Sequence, residues 1–270
     1  MPPPTTLADL LQRLDVLIDD TRRANSRIAY FAVLYRLVTR ALQETAAASP
    51  FEDPARIERL TTIFAGRYFD ALDRFMHKQA APLCWSEAFR AATNVRPVVV
   101  QHLLLGMNAH INYDLGIAVV QAAPGAELAK LRPDFELVND VLAGLIDRIE
   151  QALTRIYPAL RLVDALGGRT DEEILEFSLR TARAVAWSNA ERLAVLDGDA
   201  QAAELQRTDR LTQKLARKIL TPGLKLTLAL LLVRAQERGD VASIIDRLEA
   251  APEVNTYLSQ LRASVRASDR

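Results

Sequence analysis

The chain is poor in the residues that usually announce a chemistry. It holds one cysteine, Cys84, and three histidines in 270 residues. One thiol cannot close an internal disulfide, and it excludes a Cys-rich zinc or iron–sulfur site. No base-bearing motif surrounds Cys84, so it reads as a small buried apolar residue. Net charge is zero, with 34 basic and 34 acidic residues, so no imbalance points to nucleic acid or an anionic membrane surface. Glycine-rich phosphate loops, a Ser nucleophile elbow and basic–aromatic patches are missing. The Met1–Thr6 start lacks the basic-then-apolar pattern of a signal peptide. These absences lead us to expect a cytoplasmic protein.

Strand signals are also scarce, because period-2 alternation bounded by turn residues hardly occurs. Helix signals fill the chain. Leu7, Leu10, Leu11, Leu14, Leu17 and Ile18 form a stripe at helical spacing. Asp53-Pro54 is a helix start, with Asp as N-cap and Pro in the first turn. Another helix is expected to begin at Asp134, and Thr170 with Glu173 reads as a capping box. We expect an all-α fold, a single multi-helix bundle of eleven or twelve helices around a buried central helix at 96–121. Residues 1–5 are read as a disordered tail and 6–266 as a single domain, with no Gly/Ser linker or fixed repeat.

That central helix, 96–121, is apolar nearly all round yet contains Gln101, His102, Asn108, His110, Asn112 and Asp114. Its length could span a bilayer, but these polar groups make insertion costly. Buried polar groups need partners or a purpose. At about 100° per residue, His102, Gly106, His110 and Asp114 descend one side, while Asn108 and Asn112 lie roughly opposite. His110 and Asp114 are four apart and can meet. A carboxylate beside His fixes its tautomer and raises its basicity. The pair is therefore a candidate catalytic base, or a pair of ligands for a divalent metal. Further ligands could come only from Asp70, Asp73, His77, Asp134, Asp140 or Glu191. Gly106 and Gly116 suggest a close approach by a ligand or another backbone.

The segment from Gln101 to Gly116 resembles the signature of a domain-of-unknown-function family found in bacteria and fungi. Similar segments are Tyr68-Phe69-Asp70-Ala71-Leu72 before Trp85, Asp134-Phe135 with Val138-Asn139, and Ala182-Arg183 with Ala186-Trp187 and Ala190. The resemblance spans about residues 25–250. It implies a helical fold and no known activity, and it places His102, Asn108, His110, Asn112 and Asp114 within a family pattern.

Other candidates for substrate binding are Asp70, which could face inward beside Phe69 or outward with Arg67 and Arg74, and Arg183 with Trp187, whose spacing allows an Arg-over-Trp stack. Arg180, Arg183 and Glu191 are alternative charge partners for Asp114. His102, Asn108 and Asn112 complete the substrate-binding set. The Leu226–Val233 run could dock on a membrane or partner, or be a buried helix. Two functional readings stand. One is an enzyme whose internal apolar pocket uses His110–Asp114 on a small hydrophobic or lipid-like substrate. The other is a non-catalytic ligand- or protein-binding module with a structural His/Asn/Asp network. A homo-oligomer is left open.

Overall fold

The computed structural model describes residues 3–47, 51–167 and 179–268. Among them are twelve helices and no strand. They are α1 (Leu7–Arg23), α2 (Ile28–Ala47), α3 (Pro54–Met76), α4 (Leu83–Ala92), α5 (Val99–Ala122), α6 (Glu127–Ile156), α7 (Leu160–Gly167), α8 (Leu179–Ala194), α9 (Gly198–Leu220), α10 (Leu224–Gln236), α11 (Val241–Glu249) and α12 (Pro252–Ser268). The expected Thr170–Glu173 capping box lies outside the described residues.

The helix starts follow from local chemistry. Thr6 accepts from the Asp9 amide and Asp53 from the Arg56 amide, satisfying amides that a first turn leaves open. Asp134, expected to begin a helix, instead lies inside α6, which runs through Pro133. Leu131 is fully buried, so packing holds the turns before the proline in place despite the lost donor. The Asp134 carboxylate accepts from the backbone amides of Glu52 (2.7 Å) and Asp53 (3.1 Å), tying the start of α3 to α6. The tail is partly packed: Pro4 is buried and Pro3 lies over Gly66.

α5 is the centre of the bundle, with α2, α3, α4, α8 and α9 packed around it. It is long and apolar enough to cross a membrane by length and composition, and most of its apolar window is buried in the fold. Its glycines have packing reasons. A Cβ on Gly106 would overlap the Phe31 ring of α2, and one on Gly116 would sit 2.9 Å from the Ala186 carbonyl of α8. Close backbone approach is what glycine permits. Within α5, residues His110–Leu115 form a π-helical turn between two α-helical stretches. Such turns widen the helix locally and recur at functional sites.

The interior divides into two apolar clusters. One gathers around α1, α2, α4, the C-terminal half of α3 and the first half of α5, the other around the start of α3, α8 and the second half of α5. Val38, Met107 and Ile146 touch both. The π-turn begins at this seam.

Candidate active site

His110 and Asp114 meet as their spacing requires. His110 Nδ1 lies 3.3 Å from Asp114 Oδ2, with His110 3% and Asp114 1% exposed. The other Asp114 partners come from distant sequence. Arg67 Nε of α3 donates to Oδ1 at 2.9 Å, and Trp85 Nε1 of α4 donates to Oδ2 at 2.7 Å. One carboxylate thus joins α3, α4 and α5. The expected charge partners were Arg180, Arg183 and Glu191. The structure puts Arg180 on Asp140 and Glu191 on Trp187, and supplies Arg67 in their place.

Asp114 is an acceptor, so Nδ1 carries the His110 proton and Nε2 keeps its lone pair. Burial pushes the His110 pKa below its ordinary value, outweighing the opposing pull of Asp114. The ring is therefore neutral at pH 7. It stacks face-on with Phe64, centroids 3.5 Å apart, and meets Tyr35 edgewise at 4.7 Å. Nε2 is buried and meets no hydrogen-bond partner among the described residues; the Tyr35 and Tyr68 hydroxyls are in the same situation. Burial, with Asp114 nearby, raises the Tyr35 pKa well above normal.

Beside the ring is a cavity of ≈ 60 Å³ at the seam of the two clusters. His110, Tyr35, Phe64, Met107, Leu142, Ile146 and Arg183 are among its walls. At about 10–15 Å³ per water-sized occupant, it has room for about four to six. Its surface is almost wholly apolar. Arg183 forms the polar corner. Its guanidinium lies 4.1 Å over the Phe135 ring, and it donates to Asn139 Oδ1 and to the Phe135 carbonyl.

The remaining candidates lie elsewhere. His102 faces Tyr30 and borders a separate cavity of ≈ 20 Å³ with Arg27, Tyr68 and Trp85. Burial lowers its pKa to about 4. Asn108 donates to the Thr212 carbonyl of α9, and Asn112 donates to Asn108 Oδ1, both at 2.9 Å. This second stripe fastens α5 to α9. Gln101 caps α5 by accepting from the Val98 amide and donates to the Ile219 carbonyl. Asp70 is exposed and paired with Arg74, so it faces away from His110. An arginine does stack over Trp187, but it is Arg132 at 5.6 Å, because Arg183 turns to Phe135. Trp187 backs that same Phe135 ring at 4.9 Å.

The candidate additional metal ligands do not converge. Asp73 and His77 sit together at the exposed end of α3, Asp134 holds the backbone just before α3, and Asp140 and Glu191 have the partners given above. Among the described residues no group of three His, Cys, Asp or Glu side chains could hold a metal.

A family model matches residues 7–222, the family of unknown function DUF5995. The chain belongs to that family. The match starts earlier and ends sooner than the expected 25–250, and it includes the whole of α5 and the cavity walls on α2, α3, α6 and α8. No curated protein and no solved structure matches the chain.

Sequence reasoning located His110, Asp114 and Arg183 but missed Arg67, Trp85, Tyr35 and Phe64 as their surroundings. The aromatic-rich stretches of α2 and α3, Tyr30-Phe31 with Tyr35 and Phe64 with Tyr68-Phe69, were the available signal.

Proposed function

We propose that this DUF5995 member is an enzyme in which neutral His110, oriented by Asp114, acts as a general base on a small, largely apolar substrate in the cavity. The observation that carries the reading is the His110 ring itself: one nitrogen faces a carboxylate and the other is buried, with no partner among the described residues, beside an apolar cavity. An unmade hydrogen bond on a buried polar atom costs about 1–3 kcal/mol. A site that tolerates this cost keeps Nε2 free to accept a proton. In the step, the proton passes from substrate, or from an attacking water, to Nε2, and its electron pair stays on the atom left behind. The Asp114 carboxylate stabilises the imidazolium so formed. The dry surroundings strengthen that attraction.

A second reading is a non-catalytic module, favoured by the way Asp114 ties three helices together. The test is a panel of small apolar esters and carbon acids assayed with wild type and His110→Gln. Turnover by wild type that falls about 10²–10⁴-fold in a folded variant supports the base. Turnover equal in both, or none with any member of the panel, favours the module.

A further inference from the structure

The proton step leaves Arg183 unexplained. Its side chain is 4% exposed, and its partners are an amide oxygen, a backbone carbonyl and an aromatic face, all neutral. Nearby arginines differ: Arg67 pairs with Asp114, Arg132 with Glu136 and Arg180 with Asp140. Among the described residues no acid offsets the burial of Arg183, which pulls its pKa down to about 9. Removing one partner from a buried ion pair is strongly destabilising because the charge left behind is uncompensated. Arg183 is in that position, on the wall of the cavity that holds His110.

We infer that the ligand of this cavity is a small apolar carboxylate, its acid group paired with Arg183 and its hydrocarbon part against Phe64, Leu142 and Ile146. The inference rests on the reading of the cavity as a substrate site. The planar guanidinium matches a carboxylate in shape and charge. The ≈ 60 Å³ volume and apolar walls suit a singly charged, weakly hydrated anion of few atoms. Phosphate would need more donors than one arginine edge provides. Met107, unbranched and half-buried, lets the wall adapt.

The test is calorimetric titration of the full chain with butanoate and with butanamide, which has the same shape and no charge. Wild type is expected to bind butanoate at least tenfold tighter, and Arg183→Met to lose the preference. Equal binding of the two by wild type, binding of neither, or a preference that survives Arg183→Met overturns the inference. Should Arg183→Met fail to fold, thermal shifts of wild type decide: a rise with butanoate alone supports the pairing, and an equal response overturns it. His110→Gln separates this from the general-base reading. A retained butanoate preference with unchanged turnover leaves the carboxylate site standing and removes the base. A lost preference in folded Arg183→Met alongside a His110-dependent turnover supports both.

Discussion

Asp114→Asn replaces one carboxylate oxygen with an NH₂ at the point where α3, α4 and α5 meet. The carboxylate accepts three bonds, from Arg67 at Oδ1 and from Trp85 and His110 at Oδ2. An amide has one acceptor oxygen and places an NH₂ at the other position. Trp85 is 1% exposed and cannot find water, so the amide oxygen stays on its side. The NH₂ then faces Arg67, whose side chain is 22% exposed and can turn toward solvent. The loss is one bond between charged groups, about 1.5–3 kcal/mol, plus weakening of the other two from charged to neutral. We expect about 3 kcal/mol, the lower end of the range for breaking a buried pair because Arg67 can rehydrate. Urea denaturation measures it. A double-mutant cycle with Arg67→Met sharpens it: the two changes remove the same interaction, so the double variant should cost about 2 kcal/mol less than the sum. A cost below about 1 kcal/mol, or additivity within about 0.5 kcal/mol, would refute the view that this carboxylate organises the site.

Two further outcomes follow from the geometry. Helix propensity alone says Gly106→Ala gains about 1 kcal/mol, but the new Cβ overlaps the Phe31 ring. We expect a net loss of about 1–3 kcal/mol, read as a lower melting temperature, and a rise in melting temperature would contradict the packing. His102 is held uncharged by burial, with its pKa lowered from 6.5 to about 4. The unfolded chain takes up that proton first, so this contribution is full above pH 6.5 and is lost as pH falls toward 4. At roughly 1.4 kcal/mol per pKa unit it amounts to about 3 kcal/mol. Denaturation midpoints between pH 7 and 4 should fall more steeply in wild type than in His102→Gln. Parallel slopes would sink the idea.

The helical design was legible because apolar residues at helical spacing and caps such as Asp53 act within a few residues. The same locality made the His110–Asp114 and Asn108–Asn112 contacts readable, since a four-residue spacing sets them directly. Arg67 and Trp85 are 47 and 29 residues from Asp114. Only the packing of α3 and α4 on α5 brings them there, and no periodicity encodes that. The π-turn at His110–Leu115 has no marker among the side chains, so the steady 100° count does not hold across it. Asp70 was ambiguous because apolar neighbours surround it in sequence, while in space its helix face carries Arg74 and solvent. Arg183 lines the cavity but stacks on Phe135 instead of Trp187, the ring its spacing allowed. Its choice of Phe135 over Trp187 depends on how α6 and α8 dock.

The central claim is that His110 stands neutral in the cavity with Nε2 bare. Long-range ¹H–¹⁵N spectra of the imidazole, assigned with His110→Gln, read this directly. The account predicts a proton on Nδ1, none on Nε2, and less charging at pH 6.5 than a free histidine, which is half protonated there. A protonated Nε2, or an imidazolium at pH 7, would contradict it.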